Sequence, residues 1–389
     1  MTSTLQHRLQ EVRSHYQSGD YNLGLRRLLD AALDTRQPAI FEQVLAFCDK
    51  SEAPGTTPSL TEVDALLDKI GNAGMAEGAN KEISLLKAEG VAKQYSGGRF
   101  KLSPVNLDLK RGEIAGLVGE NGNGKTTLLR ILVGELFYDE GSITYNLHHR
   151  LHDKYEKRTF LAFIPQRIPK WWGTLTDNLH FTARHYGLIG RENELWVEMI
   201  IARLGLRPYK NLSWNSISSG YRTRFEIART LLRKPEVLLL DEPLANLDII
   251  SQQTILQDLR YLAQSPVHPM AVVLSSQQIY EVEKVSDKIV FLKQGTPIYQ
   301  DLKQAPEEKP AEELKALFEI ETAAPREELT NLLQGLPLEQ IQFNGGIYIA
   351  TFKGAVTTAQ VMEALSRATF DINYLRNISL SSRRFFANQ

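Results

Sequence analysis

The segment GENGNGKTT, residues 119–127, sets three glycines and one lysine between two apolar runs, IAGLV before it and LLRILVG after it. It meets the pattern G-x-x-x-x-G-K-[ST] at Gly119, Gly124, Lys125 and Thr126, in the strand-then-helix context that gives the pattern meaning. Glycines let backbone N–H groups turn inward around phosphate oxygens, and a helix start adds a favourable dipole. Asn121, Gly122 and Thr127 complete the loop. Lys125 supplies a point charge to the β and γ phosphates, and the Thr126 hydroxyl is of the type that ligates Mg²⁺.

A second stretch has to hold the metal. VLLLDEP, residues 237–243, reads as a buried parallel strand ending in two carboxylates. Asp241 fits the task of holding Mg²⁺ through water, and Glu242 that of orienting and polarising an attacking water. One acid at a strand end is commonplace; Asp-Glu-Pro after four apolar residues is less so.

These residues need elements to position them. Residues 87–300 alternate strand-like runs (GEIAGLV, TFLAFIP, EVLLLDEP, MAVVLSS, KIVFLKQG) with longer periodic segments, the pattern of an α/β domain with a largely parallel sheet. Residues 1–86 carry helical spacing and few strand signals, which predicts a small N-terminal helical domain. Residues 301–314 form a charged, proline-bearing linker. Residues 315–389 follow in the order β-α-β-β-α-β, which predicts a small ferredoxin-like α+β domain.

Composition narrows the partners. The chain has 389 residues, 42% of them hydrophobic, and a formal net charge of −1. No dense Lys/Arg block is present, so a nucleic-acid partner is not expected. The single cysteine, Cys48, reads as a buried apolar residue of a reducing compartment. No stretch nears the ~18 uninterrupted apolar residues of a membrane helix, and the first residues lack the apolar core of a signal peptide. His148, His149 and His152 lie close together, but no carboxylate-cysteine constellation accompanies them and they stand beside a strand-to-strand turn, so they read as a solvated loop rather than a metal site.

The order of the motifs resembles the ATP-binding cassette of ABC transporters: the phosphate loop, FIPQ ending in Gln166, a serine-glycine segment opening a helix, then LLLDEP and LANLD. The resemblance is specific over residues 87–300, loose beyond 310 and absent over the first 86. It implies a P-loop ATPase core with a helical subdomain, ATP and Mg²⁺ as ligands, and ATP hydrolysis. It also implies two cassettes, either two copies of this chain or one with a related chain, closing around two ATP molecules. A separate membrane-spanning permease would hold the chain peripherally at the cytoplasmic face of the membrane. Residue by residue, it implies adenine stacking for Tyr95, sensing of Mg²⁺ and water for Gln166, and a loop between cassettes for Asp248.

Two departures stand out. The family's LSGGQ signature is ISSGY here, keeping Ser218 and Gly220 but bringing Ser219 and Tyr221. A serine hydroxyl and a glycine N–H at a helix start still suit a γ-phosphate. Where the family has histidine after a Ser-Ser pair, this chain has Gln277, which donates a hydrogen bond but carries no proton. Slower, less pH-dependent hydrolysis is expected. Arg222, Arg224, Arg229 and Arg233 are expected on a solvated or salt-bridged helix face. Trp171 and Trp172 stand in the region that receives the permease, and at least one is expected to anchor it. The tail NISLSSRRFFA matches an exporter-type C-terminal domain only at Ser379, Leu380 and a following phenylalanine, which points towards export.

Overall fold

The structure is a computed structural model and describes residues 2–52, 58–76, 78, 83–95, 97–98, 100–147, 159–245, 247–301 and 315–379. His148, His149 and His152, and the tail from Leu380 onward, lie outside the described residues.

Strands β1 (Ser84–Gln94), β2 (Lys101–Lys110) and β4 (Glu140–Tyr145) form an antiparallel sheet in the order β2-β1-β4. The second sheet has the order β5-β6-β7-β3-β8-β9. Its members are β3 (Ile114–Val118), β5 (Leu161–Ile164), β6 (Val237–Leu240), β7 (Ala271–Ser276), β8 (Lys288–Lys293) and β9 (Thr296–Asp301). β5 with β6, β6 with β7 and β7 with β3 pair in parallel. Every residue of β3, β6 and β7 is buried, so these strands are continuous apolar runs rather than alternating ones. The antiparallel sheet was not anticipated. Its signal is visible in β2, where Leu102, Val105, Leu107 and Leu109 are buried and Lys101, Pro104, Asn106 and Asp108 face outward or half outward.

Helix α5 (Lys125–Leu132) leaves the phosphate loop. A helical segment follows β5: α6 (Leu175–His185), α7 (Gly190–Arg203) and α8 (Ser219–Leu231). After β6 comes α9 (Ile249–Ala263), and after β7 the short α10 (Ile279–Glu283).

The N-terminal segment folds as four helices, α1 (Thr2–Gln17), α2 (Tyr21–Thr35), α3 (Pro38–Ser51) and α4 (Leu60–Ala73). They do not close a core by themselves. Leu195, Met199 and Ala202 of α7 belong to the same apolar cluster as Val12, Leu28, Phe41, Val44 and Leu67. A buried ion network reinforces the seam. Arg203, fully buried, reaches Asp30 at 2.8 Å and Asp258 of α9 at 2.6 Å. Arg27 pairs with Asp30 at 3.2 Å and lies 3.5 Å from the centre of the Tyr261 ring, which Arg8 also covers. Breaking one partner of such a buried set typically costs about 3–5 kcal/mol, because a charge is left unpaired. These helices and the cassette accordingly form one compact unit, residues 1–277 with 290–298.

The second unit holds residues 278–289 and 299–389. Its sheet, β11-β12-β10-β13, is wholly antiparallel. The chain order is β10 (Lys315–Thr322), α11 (Arg326–Leu333), β11 (Leu338–Asn344), β12 (Ile347–Lys353), α12 (Thr358–Leu365) and β13 (Ile372–Asn377), the ferredoxin-like order read from the sequence. Phe318, Ile320, Leu329, Ala350, Phe352 and Val361 fill its core. A capping box at Thr357 and Gln360 starts α12. Ser379, the described residue of the exporter-type tail motif, accepts from the Leu317 N–H at 3.0 Å and fastens the end of β13 to β10.

Candidate functional site

The phosphate loop joins the buried strand β3 to α5, and its two outer glycines are fixed by space. Gly119 has φ 154°, and a Cβ there would lie 2.4 Å from the Leu292 carbonyl oxygen. Gly124 has φ 99°, and its Cβ would meet the Phe100 ring at 2.6 Å. Any side chain would push the loop off β8 or off Phe100. Asn123 pins the same loop, donating to the Leu292 carbonyl at 3.1 Å and accepting from the Gln294 N–H at 3.2 Å.

Lys125 is buried and donates to the carbonyls of Gly119 at 2.7 Å and Glu120 at 3.2 Å. Its ammonium also lies 3.0 Å from Oε1 of Glu242. That carboxylate oxygen is buried, and Lys125 is the charge that compensates it; the angle is too poor for a formed hydrogen bond. The Thr126 hydroxyl donates to Oδ2 of Asp241 at 2.8 Å. Oδ1 of Asp241 accepts from the Ser275 hydroxyl at 2.8 Å, and the same hydroxyl accepts from the Glu242 N–H at 2.8 Å. Ser275, fully buried on β7, therefore holds the Asp241 carboxylate and the Glu242 backbone together at the end of β6. Glu242 needs this hold. Its φ of 49° lies in the left-handed region, a conformation that costs a non-glycine residue about 1–3 kcal/mol.

A cleft of about 350 Å³, open to solvent, is lined by Tyr95, Phe100, Asn121, Gly122, Gly124, Lys125, Thr126, Thr127, Gln166 and Glu242. That size suits a small-molecule ligand. Tyr95 is half-exposed, with its hydroxyl 3.5 Å from that of Thr127 and its ring 6.2 Å from that of Phe100. Gln277 donates to Oδ1 of Asn121 at 2.9 Å, so the residue standing in the histidine position touches the phosphate loop.

Three residues are not brought to this cleft within the chain. Ser218 is the N-cap of α8 without a side-chain capping bond, and Gly220 packs against Leu247, where a Cβ would come within 3.3 Å. Asp248 caps α9, accepting from the Ser251 N–H at 2.9 Å and the Ser251 hydroxyl at 2.7 Å, which holds its carboxyl below the usual range. Tyr221, in place of the signature glutamine, packs its ring 3.9 Å from that of Tyr209.

The arginines of α8 and of the turn that follows it are structural. Arg229 pairs with Glu226 and covers Trp171, Arg222 donates to the Trp214 carbonyl at 3.2 Å, Arg224 lies over Tyr221, and Arg233 lies over Tyr186. The tryptophan pair divides. Trp171 is buried, stacked 5.0 Å from Trp214 and bonded to Glu226 at 3.2 Å, whereas Trp172 is 79% exposed.

Phe100, Asn123 and Ser275 were not singled out from the sequence. Ser275 had a signal, since it is the first serine of the pair preceding Gln277. Phe100 had only its place in the turn after Tyr95.

Residues 102–245 match the family model described as ABC transporter. The chain is 31% identical over 224 residues to the ABC transporter ATP-binding protein NatA of Bacillus subtilis, covering 55% of this chain and 87% of NatA. It is 32% identical over 219 residues to the spermidine/putrescine import ATP-binding protein PotA of Mycoplasma mycoides, covering 55% of this chain and 60% of PotA. A solved dimeric bacterial ABC transporter cassette aligns with a TM-score of 0.50 at 25% identity, over 57% of this chain and all of the cassette (100%). The chain belongs to the ATP-binding subunits of ABC transporters, and it binds and hydrolyses ATP. No helix among the described residues is long and apolar enough to cross a membrane.

Proposed function

We propose that this chain pairs with a second cassette around two ATP molecules and drives a separate membrane-spanning permease. The observation that carries the reading is the linkage of Lys125 to Glu242 and of Thr126 through Asp241 and Ser275 to the same glutamate.

Arriving β and γ phosphates offer Lys125 a stronger partner than Glu242. As the ammonium moves to phosphate, the Glu242 carboxylate is released to accept a hydrogen bond from water and align its oxygen with the γ-phosphorus. Water forms the new P–O bond, the bond to the ADP oxygen breaks, and Glu242 takes up the proton that water sheds. Thr126 and Asp241, 2.8 Å apart beside Gln166, are the donor types a Mg²⁺ ion uses, and such an ion would neutralise the phosphate oxygens. Gln277 stays within reach of the same phosphate through Asn121.

Ser218 and Gly220 do not line this cleft, which supports their service to the ATP of a second cassette. Ile249 and Ile250, 69% and 76% exposed directly after Asp248, offer an apolar surface for that pairing. Trp172 and Phe181, 79% and 74% exposed beside the start of and along α6, suit a permease. The finer reading is export. It rests on the Ser379–Leu380 tail, while PotA carries import in its name, so a measured flux decides.

The test is a tagged Glu242→Gln form held with ATP and Mg²⁺ in solubilised native membranes. Turnover falls at least about 100-fold, the chain elutes as a dimer, and one polytopic membrane protein is recovered in stoichiometric amount. ATP binds more tightly than to the unaltered chain, because Lys125 loses its competing carboxylate. Recovery of soluble proteins or ribosomes alone refutes the permease.

A further inference from the structure

Helix α7 ends at Arg203, and the chain passes through a 3₁₀ turn, Arg207–Tyr209, before it reaches α8. Two elements hold this turn and the residues after it. Arg207 pairs with Asp49, in the last turn of α3, and at 3.2 Å with Glu52 just beyond it. The Lys210 carbonyl accepts from the Thr176 N–H at 3.0 Å and from the Thr176 hydroxyl at 2.6 Å, and the Leu212 carbonyl accepts from the Leu175 N–H at 3.2 Å, which ties the segment to the start of α6. From this held segment the Tyr209 ring reaches that of Tyr221, 3.9 Å away in the first turn of α8. Neither tyrosine lines the ATP cleft.

That first turn needs an outside hold. Ser218 gives α8 no side-chain capping bond, and the second residue of the helix is Gly220. A helix start without a cap leaves backbone N–H groups unsatisfied, and a glycine gives up more conformational freedom than any other residue, so such a turn frays readily. Arg222, donating to the Trp214 carbonyl at 3.2 Å, is one tie between this turn and the rest of the fold, and the Tyr209–Tyr221 contact is another. Tyr221 follows Gly220 directly and stands three residues, close to one turn, after Ser218. Where its ring is held, the turn that presents both residues is held too.

We propose that Tyr209 is a positioning residue for ATP hydrolysis: through Tyr221 it holds Ser218 and Gly220 ready for the ATP of a second cassette, and through Arg207 it makes that hold depend on the N-terminal helices. The inference rests on the paired-cassette reading above. The tyrosine that stands in place of the signature glutamine thus takes its partner from its own chain. Contact between the rings is insensitive to salt. The Arg207 pairs reach carboxylates whose side chains are 66% and 46% exposed, so they are weak singly and screened by salt. The ring stack is the firm joint of this linkage, and the ion pairs are the adjustable one.

The test titrates ATP and Mg²⁺ into the full-length Glu242→Gln chain and reads, by size-exclusion chromatography, the ATP concentration at which half of it elutes as a dimer. Adding Tyr209→Ala raises that concentration at least about fivefold, within the reach of one aromatic pair. A fluorescent ATP analogue, offered at a chain concentration too low for pairing, binds with unchanged affinity. Tyr209→Phe, which keeps the ring, stays within about twofold. Asp49→Asn/Glu52→Gln, two changes at exposed positions, raises the midpoint about twofold, and Tyr209→Ala adds nothing where Tyr221 is already alanine. A midpoint unmoved by Tyr209→Ala, equal losses in the alanine and phenylalanine forms, weakened binding of the analogue, or a full Tyr209→Ala effect on top of Tyr221→Ala overturns the proposal. A Glu242→Gln chain that never dimerises removes the paired-cassette reading and this inference with it, whereas dimerisation indifferent to Tyr209 removes this inference alone. If Tyr209→Ala does not fold, the Asp49/Glu52 pair decides by itself.

Discussion

Replacement of Ser275 by alanine removes one hydroxyl and two hydrogen bonds, and their worth follows from where they lie. The Glu242 N–H loses its acceptor in a fully buried place, and a stranded buried donor costs about 1–3 kcal/mol. Asp241 loses a donor to a carboxylate, worth about 1.5–3 kcal/mol. Thr126 still donates to the other oxygen of Asp241, so the lower half of each range applies and the sum is about 3 kcal/mol. For a unit of this size each kcal/mol moves the melting temperature by roughly 2–4 °C, so Ser275→Ala lowers it by about 6–12 °C. Catalysis is hit separately. The left-handed conformation of Glu242 is no longer tied to β7, and the carboxylate drifts from the line of attack. Steady-state phosphate release falls about tenfold or more, as a misplacement near 1 Å does, while binding of a fluorescent ATP analogue, which rests on Lys125 and the loop amides, stays within about threefold. Scanning fluorimetry and the two nucleotide assays read all three. A melting temperature within 1 °C of the unaltered chain, with turnover unchanged, refutes the lock assigned to Ser275.

Gln277→His raises phosphate release by more than about twofold and introduces a dependence on pH near 6.5, the ordinary range of an imidazole, where the unaltered chain is flat. Unchanged turnover counts against a slowing role for Gln277. Trp171→Ala costs about 3–5 kcal/mol in chemical denaturation because it removes a buried ring stacked on Trp214 and takes the donor from Oε2 of Glu226, whereas Trp172→Ala changes stability by less than about 0.5 kcal/mol and weakens permease co-purification. Cys48, buried and pushed up to about 11 chiefly by burial, resists alkylation at pH 8 in the native chain and reacts fully in denaturant. Its native pKa exceeds the unfolded one, so its contribution to stability is complete below the unfolded value and disappears as pH climbs towards 11; Cys48→Ala flattens that part of the pH–stability curve.

Much of the site was legible because its chemistry is local in sequence. The phosphate loop needs glycines next to a strand and a helix, and the two carboxylates need the end of a buried strand, so spacing alone locates Gly119, Gly124, Lys125, Asp241 and Glu242. Tyr95 and Gln166 reach the same cleft although they lie outside the loop, and there the family resemblance carried the reading. What stayed hidden is what depends on distant pairings. Nothing in VLSSQQ says that Ser275 rather than Ser276 faces β6, because a parallel strand buried on both sides loses its alternation. Adjacent Trp171 and Trp172 read alike until Trp214 and Glu226 arrive from elsewhere to claim one of them. The helices of the first 86 residues were read correctly as helices, but their joining to α7 and α9 rests on Arg203, an ordinary arginine at the end of an amphipathic run.

That arginine also sets a clock. Arg203 and Asp30 are 173 residues apart in the chain, and synthesis proceeds at about 5–20 residues per second, so Asp30 emerges roughly 9–35 s before its partner is made. Throughout that interval α1 to α4 expose the apolar faces that α7 will later cover, along with carboxylates awaiting a guanidinium. The helices made first are thus among the last parts of this unit to be secured, and a newborn chain depends on whatever shields them until the cassette's own helices leave the ribosome.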